Sequence, residues 1–256
     1  MMLIPVIDLL QGQVVRGMGG NRQAYRPINS LLCASSDPRT VARILSEHCD
    51  ARQLYIADLD ALMGGSAQID VLRSVLQALP HIELWLDAGF ADAPGARALL
   101  AQLQPFDARV VPVFGSESLA SRAALEACFA TPHARSGTAP GTAPGTAPDS
   151  DAGFTQRAVL SLDRRDGRRL DAAGCWDALA LWPKRVIVMT MERVGSQAGP
   201  DLDTMRTLRR DSPATWLVGA GGVRNAADLA HATDAGADAW LVASALHDLQ
   251  LPRVHR

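Results

Sequence analysis

The stretch LWLDAGFADAPGARALL, residues 84–100, carries the decision between fold classes. An apolar run ends at Asp87, a small glycine-containing break follows, and an Ala/Leu-rich pattern of helical period begins. A strand that is apolar at successive positions is buried on both faces, the condition of parallel strands with helices packed over them. The stretch is therefore one strand–turn–helix unit, and the fold follows from how often the unit recurs.

It recurs along the whole chain. IPVID (4–8), QLYIAD (53–58), IELWLD (82–87), ARVVPVF (108–114), AVLSLD (158–163), RVIVMT (185–190), TWLVGA (215–220) and AWLVAS (239–244) are eight strand candidates. Helical patterns at 38–49, 68–79, 91–103, 118–130, 203–210 and 225–234 lie between them. Eight units in 256 residues predict an α/β protein, a single closed (β/α)8 TIM barrel over residues 1–256. An open doubly wound sheet is the alternative, but no GxGxxG follows the first strand, where a dinucleotide site would put it. One segment breaks the rhythm: SGTAPGTAPGTAPDSDAG, residues 136–153, repeats GTAP three times. Such Gly/Pro/Thr/Ala sequence buries too little apolar surface to offset its ordering entropy, so it reads as a disordered insertion with no catalytic role.

The halves on either side of the insertion resemble each other. VIDLLQGQVV (6–15) matches LSLDRRDGRRL (160–170), each with an Asp ending a strand and a Gly four positions later. LDAGFADA (86–93) matches GAGGVRNA (219–226), each at the third strand of its half. Two fused half-barrels would set Asp8 and Asp163 across the mouth from one another, at the C-terminal strand ends where barrel active sites form. An isolated Asp at a strand end is most simply a cap or an ion-pair partner, here of Arg16 or Arg165. A matched pair is acid–base equipment, one carboxyl held protonated while the other stays ionised. In the second half, Gly219, Gly221 and Gly222, followed by Val223, let the backbone approach an anion closely at a helix N-terminus. Strand eight ends in the small residues Ala243 and Ser244, and loops after strands seven and eight are the usual phosphate site of such barrels.

Charge and composition narrow the function further. A net charge of −2 gives no electrostatic reason to expect nucleic acid or a membrane surface as partner. Cys33, Cys49, Cys128 and Cys175 lie far apart with no CxxC, and the histidines form no HxxxH or HExxH, so reduced thiols and no metal site are expected. MMLIPVIDLL lacks a basic leader and is broken by Asp8, so it reads as a buried strand. No apolar run approaches the roughly 20 residues a bilayer span needs. A soluble, cytoplasmic protein is expected.

IPVIDLLQGQVVRG, LYIADLDALMGG, LSLDRRDG, VIVMTMERVGSQAGPDLD and GAGGVRNAADL together resemble the phosphoribosylformimino-aminoimidazole carboxamide ribotide isomerases of histidine biosynthesis. They are also similar to the sister cyclase, imidazole glycerol phosphate synthase. The likeness covers nearly all of the chain except the GTAP insertion. It implies a barrel of two fused half-barrels and an Amadori rearrangement of an aminoaldose to an aminoketose on a sugar-phosphate substrate, with no cofactor or metal. It assigns Asp8 as general base at C2, Asp163 as general acid that opens the furanose ring, Thr190 as an assisting residue and Asp58 as a substrate contact. Gly221, Gly222, Val223, Ala243 and Ser244 are the implied phosphate cradle.

The chain departs from that family in ways that bear on substrate. The first-half turn, GGG then an apolar residue and Arg in the family, here reads Asp87, Ala88, Gly89, Phe90. A carboxylate near a phosphate dianion repels it, and loss of glycine removes the positive φ that anion nests use. Gly89 is retained as a substrate contact without a phosphate, and Glu117 adds a second acid nearby. Strand six continues Glu192, Arg193, Val194, Gly195 in place of the family's acid-Arg-Asp-Gly. These features resemble a divergent group associated with methanogens and methylotrophs, which implies a role in one-carbon cofactor (tetrahydromethanopterin or methanofuran) synthesis as an alternative. The histidine-pathway isomerase itself and a non-catalytic barrel are the others.

Overall fold

The computed structural model describes residues 1–17, 25–129, 154 and 156–254, so the insertion expected over 136–153 lies outside the described residues. Ten strands form one sheet: β1 (Met2–Leu10), β2 (Gln13–Val15), β3 (Gln53–Asp58), β4 (Glu83–Asp87), β5 (Val110–Gly115), β6 (Val159–Arg165), β7 (Arg168–Arg169), β8 (Arg185–Thr190), β9 (Trp216–Ala220) and β10 (Ala239–Val242). Eight of them pair in parallel around a ring, and β10 closes it by pairing with β1, Met2 opposite Ala239. The barrel is therefore closed, as the eight-unit pattern predicts.

Strand alternation divides the core in two. Ile4, Tyr55, Trp85, Val111, Val113, Val159, Ile187, Val218 and Leu241 fill the barrel interior. The intervening positions, among them Ile7, Leu54, Ile56, Leu84 and Leu86, pack outward against Val41, Leu45, Leu72 and Val75 of the surrounding helices. Each such side chain contributes roughly 1.5–3 kcal/mol by leaving water, so a one-residue slip of any strand would be strongly disfavoured.

Helix starts follow their capping residues. Asp37 accepts from Thr40 N at 2.9 Å to open the helix Pro38–Cys49, with proline at its first position. Asp92 caps Ala93–Ala101 and Asn225 caps Ala226–Asp234, with nearly identical dihedrals: φ −162°, ψ 173° and φ −158°, ψ 177°. Between β7 and β8 the described chain has only a 3₁₀ turn, Leu179–Leu181, instead of a fifth helix. There Asp171 accepts from Cys175 N and Trp176 N, a side-chain-closed turn that competes with helix formation.

Two hairpins correct the reading that Asp8 and Asp163 end their strands. Each strand runs two residues further and turns back antiparallel, β1 into β2 and β6 into β7. The turn residues match: Gln11 and Gly12 have φ 49° and 77°, Asp166 and Gly167 have φ 51° and 74°. Two consecutive positive φ values make a type I′ turn, whose twist suits a two-residue hairpin. The half-barrel repeat thus extends to a device the sequence pattern hid.

Candidate active site at the barrel mouth

The inner face of each strand presents alternate residues to the barrel axis, and at the C-terminal end acids are set among apolar residues such as Ala57 and Met189. Asp8 from β1, Tyr55 from β3, Asp87 from β4 and Asp163 from β6 line one cavity of about 510 Å³, with Glu117, Arg165 and Tyr25 at its edge. Asp8 and Asp163, matched in the two halves, therefore face a common space. Room for both is made by glycine. A Cβ on Gly17 would lie 2.6 Å from Asp8 Oδ2, and one on Gly115 would lie 3.0 Å from Asp163 Oδ2.

The surroundings of Asp163 set its protonation state. It is buried and accepts from Ser161 Oγ at 2.6 Å and Glu117 N at 3.1 Å, while its own N–H donates to Ser116 Oγ at 2.8 Å. Burial outweighs those donors, and the charges of Glu117 and Asp87 add to it, so the carboxyl is pushed up to about 8. Asp163 holds its proton at neutral pH. Tyr55 donates its hydroxyl to Asp87 Oδ2 at 2.9 Å, and its own ionisation is pushed well above the ordinary range by burial and by the acids Asp87, Asp163 and Asp8.

A second cavity, about 490 Å³, is lined by Asp8 together with Gly221, Gly222, Val223, Ala243 and Ser244. Gly221 and Gly222 have φ 87° and 83°, a pair of left-handed residues that turns successive N–H groups toward one point. Among the described residues no hydrogen bond takes up the N–H of Gly222 or Val223. The short helix Ser244–His247 is tied down behind this cavity: Arg16 pairs with Asp248 at 2.6 Å, and His247 Nδ1 meets Ser30 Oγ at 3.0 Å. Burial, with Arg16 nearby, lowers His247 to about 4, so this brace is neutral at physiological pH. Arg16, considered above as a partner for Asp8, is thus committed to the brace.

Four expected site residues stand elsewhere, and strand alternation or packing explains each. Asp58 is fully buried outside both cavities; its carboxylate accepts from Gln68 N at 2.7 Å and Ala61 N at 3.3 Å, so it braces the loop after β3. Thr190 falls in the same register of the second half, one residue beyond the inward-facing Met189, and donates to Asp201 Oδ2 at 3.0 Å. Asp201 caps Leu202–Asp211 as Gln68 precedes Ile69–Ala78, so both pairs tie a strand end to the next helix. Gly89 lines neither cavity: a Cβ there would lie 3.2 Å from Leu62 Cα, so its space is already filled by the helix Leu59–Leu62. Gly219 lies within β9, where a Cβ would fall 2.0 Å from the Trp240 ring, which makes it a packing glycine and not part of the cradle.

The inward positions of Tyr55, Tyr25 and Ser161 carried no signal in the sequence reading. The strand phase fixed by Asp8 and Asp163 could have found Ser161 two residues before Asp163, and the pairing of Ala57 with Asp87 puts Tyr55 on the same inner face. The four cysteines are buried and free, with the thiols of Cys49, Cys128 and Cys175 raised to about 12, mainly by burial. Among the described residues no group of His, Cys, Asp and Glu is placed to hold a metal ion, and no helix is long and apolar enough to cross a membrane.

Known proteins offer a direct comparison with this geometry. The family model described as histidine biosynthesis protein matches residues 2–111 and 155–252. A 1-(5-phosphoribosyl)-5-((5-phosphoribosylamino)methylideneamino)imidazole-4-carboxamide isomerase of Picosynechococcus sp. is 28% identical over 241 residues, covering 90% of this chain and 80% of that protein. The isomerase of the same name from Sorangium cellulosum is 28% identical over 263 residues, covering 97% and 94%. An uncharacterized protein of Methanocaldococcus jannaschii is 26% identical over 250 residues, covering 96% and 93%.

Proposed function

The chain belongs to the histidine biosynthesis protein family, and on that premise we propose that it is an aldose–ketose isomerase performing an Amadori-type rearrangement on a phosphoribosyl or similar sugar-phosphate substrate. The observation that carries the reading is the position of Asp8. It lines the cavity that holds Asp163 and also the cavity that holds Gly221, Gly222 and Ser244. A phosphate on the glycine turn therefore leaves the sugar attached to it within the space between the two carboxyls.

The chemistry follows from their unequal burial. Asp163, protonated at neutral pH, gives its proton to the furanose oxygen as the C1–O bond breaks and the C1 nitrogen lone pair forms an iminium. Asp8, the less buried acid, removes the proton from C2 and leaves an enaminol. Return of a proton to C1 and loss of the C2 hydroxyl proton complete the aminoketose, with no net gain or loss of protons. General acid and general base steps of this kind each contribute typically 10²–10⁴-fold. Gly221, Gly222, Val223, Ala243 and Ser244 hold the phosphate through backbone N–H groups and the serine hydroxyl. No step requires a metal or organic cofactor.

The test is turnover of aminoaldose phosphates by purified protein, followed as ketose formation, with the bis-phosphorylated ribotide of the isomerase relatives as one substrate. Ketose formation that is lost in both Asp8→Asn and Asp163→Asn supports the reading. Ketose formation that survives both substitutions overturns it.

A further inference from the structure

The two carboxyls at the mouth stand on unlike residues. Two positions before Asp163, on the inner face of β6, is Ser161; two positions before Asp8, on β1, is Val6. Ser161 is buried and donates its hydroxyl to Asp163 Oδ1 at 2.6 Å, the one hydrogen bond of that hydroxyl among the described residues. Packing does not call for a hydroxyl there. Ser161 pairs with Ile187 of β8, which fills the interior, and Val6 shows that the repeat accepts an apolar side chain at this level. The other carboxyl oxygen, Oδ2, accepts from Glu117 N at 3.1 Å and from Ser116 Oγ at 3.4 Å. Those two residues follow the end of β5, on the mouth side, whereas Ser161 lies deeper along β6.

Resting on the isomerase reading above, we propose that Ser161 is a positioning residue for the acid step, its hydroxyl fixing Oδ1 of Asp163 so that Oδ2, on the mouth side, delivers the proton to the furanose oxygen. As the proton moves, the O–H bond of Asp163 breaks, an O–H bond forms on the sugar oxygen, and the electron pair stays on the carboxylate. A buried carboxylate is costly unless donors meet it. Ser161 supplies one that does not titrate, at a length typical of a hydroxyl bonded to a carboxylate. Burial keeps the proton on Asp163, and the hydroxyl opposes burial, so the acid stays strong enough to give its proton up. Val6 has no hydroxyl to do the same beneath Asp8, so the halves differ at the residue that supports each carboxyl.

The test replaces Ser161 alone, by alanine and by the valine that the first half carries. The titratable groups around Asp163 stay in place: Glu117 beyond β5, Asp87 of β4, Tyr55 of β3, Asp8 of β1, Arg165 of β6, Tyr25 at the cavity edge and Cys175 after β7. Two readouts are taken on the whole protein. One is the pH profile of kcat/KM for ketose formation; the other is the pH titration of the Asp163 carboxyl carbon by NMR, which needs no substrate. In Ser161→Ala and Ser161→Val the alkaline limb and the carboxyl titration should both move up by about one to two pH units, the loss of a hydrogen bond to a charged group. At pH 7 kcat/KM should fall about tenfold as the acid weakens. A limb and a titration that stay where the unaltered protein has them overturn the inference, whatever happens to the rate, and leave the isomerase reading standing. A titration that moves without the limb does the same. Absence of ketose formation by the unaltered protein overturns the isomerase reading and this assignment with it.

Discussion

The turns at residues 87–92 and 220–225 share a plan and differ in what they hold. Both follow the third strand of a half-barrel, both pass through a left-handed glycine, and both end in a capping residue with almost superposable dihedrals. In each, the loop after the preceding strand folds over the turn: Leu62 against Gly89, and Gly199 against Gly222. Yet one turn offers N–H groups to a cavity, and the other has spent its glycine N–H on the carboxylate of Asp87. A repeated backbone therefore does not imply a repeated ligand. A few side chains decide whether a nest receives an anion from solution or from its own chain.

The largest effect is expected where the halves remain alike. Asp8→Asn and Asp163→Asn should each lower turnover by about 10²–10⁴-fold, with thermal unfolding shifted by only a few degrees. A large loss of folding in both would make these acids structural. Asp163 also predicts the pH behaviour. Its proton is lost as pH rises through about 8, so the acid-dependent rate should fall on the alkaline side of that value. Stability moves in the same direction, because the folded chain keeps a proton that the unfolded chain releases. This contribution is complete below about pH 4, the unfolded value, and declines as pH rises toward about 8. Denaturant titrations at intervals of pH should show a slope over that window, up to about 1.4 kcal/mol per unit, that Asp163→Asn flattens.

How far the sequence carried this comparison depends on which neighbour decides each residue's role. The barrel was legible because parallel strands buried on both faces leave apolar runs, and eight of them span 2–242 with the expected order. The shared cavity of Asp8 and Asp163 was legible because the repeat fixes their positions twice. That Asp58 and Thr190 lie outside both cavities was not legible, because an acid or hydroxyl at a strand end looks the same whether it faces the axis or the helices. One residue of phase separates Met189, facing inward, from Thr190, bonded to Asp201. The loss of a first-half phosphate was legible in Asp87 and the missing glycines, but the place of Gly89 outside both cavities was not. Leu62, which covers it, is distant in sequence and carries no pattern. The hairpins went unseen because the strand pattern stops at the first polar residue, while the Gly12 and Gly167 turns lie beyond it.

The two turns should also fail differently when their glycines are filled. Gly222→Ala places a methyl 2.1 Å from Gly199 O, a backbone atom with nowhere to retreat, at φ 83°. Gly89→Ala meets Leu62 Cα at 3.2 Å, a contact that a shift of a few tenths of an ångström relieves, at φ 67°. Left-handed strain of roughly 1–2 kcal/mol is common to both, so the backbone clash is what separates them. Urea titration should show Gly222→Ala losing at least about 3 kcal/mol, a typical overpacking cost added to that strain, and Gly89→Ala about half as much. Phosphate affinity should fall only in the first. Equal losses would mean that the turns are alike in packing as well as backbone.

The smallest effect sharpens the comparison most. The inward positions of the first half hold Tyr55 and Asp87, hydrogen-bonded at 2.9 Å, where the same registers of the second half hold Ile187 and Ala220. Tyr55→Phe removes one donor from a buried carboxylate that retains Gly89 N, and should cost about 1–3 kcal/mol. Tyr55→Ile with Asp87→Ala copies the second half and removes donor and acceptor together, so its cost should be smaller than the sum of the two single changes. A cycle of the four proteins measures that difference as a coupling energy, expected between about 0.5 and 3 kcal/mol for groups in contact. If the coupling is near zero, Asp87 does not depend on Tyr55, and the Tyr55 hydroxyl is free to serve the substrate. If it is large, the first half holds a coupled internal polar pair where the second half holds an apolar one.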